Sequence, residues 1–183
     1  MSFSELMPMD QKDYYIKKSF IIPLVLDTVL LIILTFLSYL NRSPLYERGF
    51  LLSASLIILF VCLESLQRKV SLSPEGLEIK KIGRKKFLNW SDITHLGCLT
   101  LRHRFYLLLT TKKGFHIISN AYGNFGQLVS DIISFLPADK IEIEEGVRLQ
   151  ANTPTRNISD LIAAWLAAAV LTGIIAFKLF APP

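Results

Sequence analysis

Three stretches of this chain are too long and too apolar to stay in water, and a polar, strand-rich segment lies between the second and the third. Residues 19–40, 49–66 and Ile158–Phe180 run for 22, 18 and 23 positions. A helix rising ~1.5 Å per residue needs about 20 apolar residues to cross a ~30 Å hydrocarbon core. The pattern predicts an integral α+β membrane protein: a helical hairpin, a globular insert and a closing helix. The expected divisions are an N-terminal segment 1–18, a transmembrane hairpin 19–66, a soluble domain 67–157 and a third transmembrane helix 158–180.

Charged residues make up 19% of the chain, below the roughly 25% of an ordinary soluble domain. The deficit sits in the three spans, so 67–157 reads as a normal soluble domain able to bury one modest core. Cys62 falls in the second span and Cys98 in the insert, which argues against a disulfide and suits a reducing cytosol. Glu5, Asp10 and Asp13 precede any apolar run, with no short apolar region and no small-residue cleavage site. The first span is therefore expected to persist in the mature protein.

Lysine and arginine placement sets the expected orientation. Lys12, Lys17 and Lys18 precede the first span, and Arg68 and Lys69 follow the second. The intervening loop carries Arg42 and Arg48 with Glu47. The bias puts the N-terminus and the insert in the cytoplasm and the C-terminus, after Lys178, outside. A bacterial cytoplasmic (inner) membrane is the expected location.

Within the insert, Leu77 and Ile79 alternate with Glu78 and Lys80, the period of a half-buried strand. Ser73-Pro74-Glu75-Gly76 is a turn, with proline presetting φ and glycine taking a positive φ. Strands are predicted over 69–73, 77–82, 85–90, 93–101, 104–111 and 115–119, which argues a strongly bent antiparallel sheet. The period then changes. Phe125, Leu128, Val129, Ile132, Ile133 and Leu136 form one apolar helix face, with Asn124 as N-cap and Pro137 as stop. That helix is expected to cover the open face of the sheet. A further strand is expected within 141–150, and 151–157 reads as a polar linker.

Meandering strands, the step Trp90-Ser91-Asp92-Ile93, an aromatic strand, a strand ending near Ser119-Asn120-Ala121-Tyr122 and one capping helix together resemble the bacterial PH-like domains. The similarity is to the YcxB-like group of membrane proteins, in which a two-helix hairpin precedes such a domain. It covers roughly residues 19–136; the third span departs from that layout. The resemblance implies a PH-like split barrel capped by one helix, a binding or scaffolding role, and no catalytic residues to carry over.

Basic residues gather at turns: Lys80, Lys81, Arg84, Lys85 and Lys86 at one tip, Arg102, His103 and Arg104 at another. Following the meander, both tips are expected at the membrane end, with Lys112 and Lys113 at the opposite end. Such clusters suit anionic lipid head groups, where each cation contributes roughly 1 kcal/mol. They also suit a plain positive-inside flank. From Arg68 to Arg156 there are 14 lysines and arginines against 8 carboxylates. Membrane proximity explains that surplus, no recognition helix or RNA-binding signature accompanies it, and nucleic acid is not an expected partner.

Asp27 lies about eight residues into the first span, ~12 Å deep at 1.5 Å per residue. An intramembrane carboxylate costs at least ~2.5 kcal/mol and is a candidate functional group. Either it is protonated and hydrogen-bonded to a neighbour such as Ser53 or Ser55, or it pairs with a partner protein. In the third span, Ala164, Ala168, Ala169 and Gly173 include pairs at four-residue spacing, which lets helices approach closely. His95, His103, His116 and Cys98 show no metal-ligand spacing, and no phosphate loop or nucleophile elbow appears. The sequence thus predicts no enzyme, no metal and no cofactor. It points to a membrane-anchored adaptor for a partner protein or a second copy, with an accessory subunit of a transport complex and an anionic-lipid sensor as alternatives.

Overall fold

The computed structural model describes residues 11–101, 104–112, 114–136, 142–151 and 158–180. In chain order these form β1 (Lys12–Tyr15), α1 (Lys18–Leu40), α2 (Leu45–Gln67), β2 (Lys69–Ser73), β3 (Gly76–Lys81), β4 (Arg84–Asn89), a 3-10 turn (Trp90–Asp92), β5 (Ile93–Leu101), β6 (Arg104–Thr111), β7 (Gly114–Ser119), α3 (Phe125–Phe135), β8 (Glu142–Ile143), α4 (Glu145–Ala151) and α5 (Ile158–Phe180). They divide into two units, Met1–Tyr15 with Arg68–Thr155, and Ile16–Gln67 with Arg156–Pro183.

The first unit holds two four-stranded sheets. One runs β1-β2-β3-β4, antiparallel throughout; the other runs β7-β6-β5-β8, antiparallel except for the short parallel β5–β8 pair. The alternation in the sequence explains the inward faces. Val70 and Leu72 on β2, Leu77 on β3, Leu96 on β5, Leu107 and Leu109 on β6 and Ile118 on β7 are all essentially inaccessible. The stripe Leu128, Val129 and Ile132 of α3 is buried with them, and Phe125 meets the Phe105 ring edge-on at 5.8 Å. Trp90, at the step between the sheets, stacks on Phe135 of α3 at 5.2 Å and donates its indole N–H to Ser73 O. Removing this much apolar area from water is the main force closing the unit.

Several details differ from the sequence reading. Residues 12–15 are not a bare N-terminal segment but the edge strand of the first sheet, with Tyr14 opposite Val70 and Tyr15 opposite Lys69. The strand expected within 141–150 shrinks to the two residues of β8. Glu145 to Ala151 is helical, which suits its Glu, Arg, Leu, Gln and Ala content, its acidic first turn and its basic last turn. Gly76 is not one of the positive-φ residues; a Cβ there would instead strike the Leu88 carbonyl. The positive φ belongs to Gly83, at 66°, in the β3–β4 turn. Asn124 does precede α3, but without a side-chain cap; it sits in the left-handed region, which Asn tolerates.

The second unit is a bundle of three helices, each long and apolar enough to cross a membrane. Helix α1 packs on both α2 and α5. A third of its most apolar window is buried, against 17% and 6% for the other two. Leu31, Leu34 and Leu51 form the bundle's core, covered by Ala54, Ile58, Leu171 and Ile175. Many of the other large apolar side chains of the described helix residues are exposed, Phe36, Phe50, Ile57, Leu166 and Phe177 among them, a pattern compatible with helices solvated by lipid.

Candidate functional site

The β3–β4 hairpin concentrates positive charge by its register. Lys80 lies opposite both Lys69 and Lys85, and Lys81 lies opposite Arg84. Like charges directly opposite one another on a sheet are unfavourable, so the hairpin tip holds a positive field that an anion would relieve. Lys69 answers its own excess with Asp13, 2.7 Å away, and that bond raises the lysine above its ordinary value. Lys81, Arg84, Lys85 and Lys86 are exposed.

The same row of residues fixes where this tip lies. Tyr15, Lys69, Lys80 and Lys85 are successive cross-strand neighbours. One residue, Arg68, joins β2 to α2, and two, Ile16 and Lys17, join β1 to α1. The basic tip thus occupies the end of the first sheet from which the hairpin of long apolar helices departs, as the meander predicts. Arg104 opens β6 opposite Leu101, while Arg102 and His103 lie outside the described residues. His116 on β7 is pushed below its ordinary pKa by burial and by the charges of Lys86 and Lys81. Lys112 N donates to Asp92 O at 3.2 Å, and Asn89, just ahead of that 3-10 turn, lies opposite Gly76. Lys112 thus stands toward the β2–β3 turn end of the first sheet, away from the Lys80–Lys85 row, as the meander predicts; Lys113 lies outside the described residues.

Three polar clusters were not visible in the sequence because their members are distant in the chain. In the first, Asp131 on α3 accepts hydrogen bonds from Tyr14 Oη, Lys12 Nζ and Gln127 Nε2 at 2.5, 2.9 and 2.9 Å. Burial alone would raise the carboxyl, but the three donors hold it below its usual range. The Tyr14 phenol is pushed up, first by burial and then by the carboxylate. In the second, Glu144 accepts the Cys98 backbone N–H at 2.9 Å and lies 3.4 Å from His95 Nε2. The backbone donor lowers Glu144, while burial and the neighbouring carboxylate raise the Cys98 thiol. A raised thiol is a poor nucleophile. Helix α4 is so close that a Cβ on Gly146 would stand 2.5 Å from Cys98 Sγ. Among the described residues, no three His, Cys, Asp or Glu side chains are grouped to hold a metal ion.

The third cluster lies in the helical bundle. Lys178 in the last turn of α5 reaches Glu47 Oε1 and Ser43 Oγ, and Ser38 Oγ donates to the same Glu47 oxygen. Arg48 stacks its guanidinium on Tyr39, 5.6 Å from the ring centre. The C-terminal ends of α1 and α5 and the start of α2 are thereby tied together.

Asp27 is buried, with 8% of its surface accessible, and among the described residues its Oδ1 has no hydrogen-bond partner. Neither serine expected beside it is available. Ser55 shares a 2.7 Å hydrogen bond with Thr35, and Ser53 donates to Phe50 O. The hairpin register sets Thr35 against Ser55 and leaves Asp27 two helical turns away. Of the small residues of α5, Ala168 is buried and Ala164 half-buried, whereas Ala169 and Gly173 are exposed. The chain's own helices occupy one side of that pattern and leave the other open. Compared with known proteins, the chain matches no family model, no curated protein and no solved structure.

Proposed function

We propose that this chain is a non-enzymatic membrane-anchored adaptor whose PH-like domain binds or helps assemble a partner protein complex at the cytoplasmic face. In this reading the three long apolar helices span the membrane, with the N-terminus and the sheets inside and the end of α5 outside. The PH-like reading draws support from the element order: a four-stranded meander, a three-stranded meander and a capping helix. One observation carries the adaptor reading. The described carboxylate clusters of the sheet unit are spent joining β1 to α3, β2 to β1 and β8 to β5, while Leu99 and Leu101 on the outer face of β5 stay exposed. Polar groups committed to holding a scaffold, beside uncovered apolar side chains, suit docking better than bond chemistry.

The test is purification of the full chain in mild detergent with measurement of what co-purifies. A stoichiometric protein lost on replacing Leu99 and Leu101 by Ser, with the melting temperature unchanged, is the expected result. A chain that purifies alone under every extraction condition sinks the reading. A second reading, an accessory subunit of a transport complex, is favoured by the unpartnered oxygen of Asp27. It requires Asp27→Asn to be as damaging as Asp27→Leu; the adaptor reading requires Asn to be tolerated.

A further inference from the structure

The outer face of the second sheet is apolar from β5 across to its edge at β7. Residues opposite one another on neighbouring strands share a face. One such row is Gly97, Leu108 and Ile117, and the next is Leu99, Tyr106 and Ser119. Thr110 and Phe115 extend the face at one end, Leu101 and Arg104 at the other. The alternate residues of these strands, Leu107, Leu109 and Ile118, fill the core. On the outer face Leu99 is 48% exposed, Ile117 47% and Phe115 67%.

Strand β7 adds an unused backbone to that surface. Among the described residues it pairs with β6 alone, and every second residue of such an edge turns its N–H and C=O away from the ladder. Natural sheets guard exposed edges with charge or proline. The β4 edge of the first sheet carries Arg84, Lys85 and Lys86, whereas Gly114–Ser119 holds no lysine, arginine, carboxylate or proline. The charges beside it are mainly of one sign. Arg104 begins β6 and Lys112 follows its end, and both are exposed. Between Asp92 and Asp131 the sequence contains no carboxylate. Asp92 itself is turned to Asn89 Nδ2, 3.4 Å away. Glu144 belongs to the opposite edge, next to β8, and is engaged with Cys98 N and His95.

We propose that the β7 edge receives an extended segment of a partner protein as a fifth strand of this sheet. Its alternate apolar side chains lie against Phe115 and Ile117, and carboxylates near its two ends face Lys112 and Arg104. The inference rests on the adaptor reading and gives the partner a chemistry. Strand addition draws affinity from main-chain hydrogen bonds and specificity from every second side chain, and β7 offers both on one line. A second copy of the chain fits the edge less well. Its own β5–β7 region brings more cations and no carboxylate to meet Arg104 or Lys112.

The full chain in nanodiscs is used to select from a display library of random linear peptides, with empty nanodiscs as the counter-selection. The expected winners alternate apolar and polar residues and carry Asp or Glu. They should bind about tenfold or more weakly to the Phe115→Lys, Ile117→Lys chain, which restores the missing edge charge, at an unchanged melting temperature. Strand pairing is read on the winning peptide itself. Methylating one alternating set of its amide nitrogens should abolish binding and methylating the other should leave it, because only one set faces β7. No enrichment, winners without carboxylates, full binding to the lysine variant, or equal effects of the two methylated sets overturns the proposal. So does a disulfide between the Phe115→Cys positions of two chains lacking Cys62 and Cys98, which would mean that a second copy holds the edge. The adaptor reading is judged apart, by what co-purifies with the full chain. A stoichiometric protein that the lysine variant retains overturns the β7 edge and leaves the adaptor standing; a chain that purifies alone overturns the adaptor.

Discussion

Tyr14 and Asp131 stand 117 positions apart in the chain, and the phenol of the first donates a hydrogen bond of 2.5 Å to the carboxylate of the second. That contact, with Lys12 and Gln127, fastens the strand before the first long helix to the helix that caps the sheets. Asp131→Ala removes the acceptor and strands a buried phenol, at an expected cost of roughly 2–4 kcal/mol. Tyr14→Phe leaves Lys12 and Gln127 on the carboxylate and is expected to cost roughly 1–2 kcal/mol. Unfolding of the solubilised chain measures both, and no loss in either variant would mean that β1 is held by something else.

The same pair sets two pH limits. Asp131 and Glu144 are depressed in the folded state, so their stabilisation is present above the ordinary carboxyl range of about 3.9–4.3 and is lost as pH falls through their lower folded values. Tyr14 is raised, so its stabilisation is complete below about pH 10 and is lost as pH rises through its folded value. The melting temperature of the sheet unit is expected to decline at both extremes. Asp131→Asn should flatten the acid limb, and an unchanged acid limb would clear Asp131 of that role.

Ile132 is wholly buried on α3 beneath the sheets. Ile132→Asp introduces an unpaired carboxylate there and should cost on the order of 4 kcal/mol or more. Ser130 points outward on the same helix, so Ser130→Asp should lie within about 0.5 kcal/mol of wild type. Similar melting temperatures for the two variants would place α3 elsewhere than on the sheets.

Orientation can be read with impermeant thiol reagents on a chain lacking Cys62 and Cys98. In the loop between α1 and α2, Ser43 is a poor labelling site because it is 8% exposed and bound to Lys178. Tyr46 is 80% exposed at the same end of the bundle. In intact cells Tyr46→Cys should be labelled and Glu75→Cys protected until the membrane is opened. The opposite pattern would reverse the protein in its membrane.

Six strands and the capping helix were legible because each carries a local pattern. Leu77 and Ile79 alternate with charge, and Leu128, Val129 and Ile132 recur at helical spacing. The edge strand Lys12–Tyr15 is four residues long, and its partner Lys69–Ser73 lies beyond both helices of the hairpin, so no local window contains the pair. Glu145 to Ala151 misled because Val147 and Leu149 also alternate as a strand would; the helix is set by burial of Val147 and by residues that favour helix. At the sites, charge runs such as Lys80–Lys86 were visible directly. The partners of Asp131, Glu144 and Lys178 were not, since a sequence gives the donor and the acceptor but not the long-range packing of strands and helices that brings them together. The serine predicted beside Asp27 failed for a related reason, because helix register depends on how the hairpin closes at Asn41–Pro44.

Placing the first strand ahead of the hairpin has a consequence for biogenesis. Lys12 leaves the ribosome 119 residues before Asp131, the group that will receive it. At roughly 5–20 residues per second this is an interval of about 6–24 s. Two long apolar helices and strand β2 are synthesised during that wait, while the side chains of Tyr14 and Lys12 lack the carboxylate that will hold them. The hairpin is therefore complete before the sheets can close, and the unit seals only after helix α3 has been made.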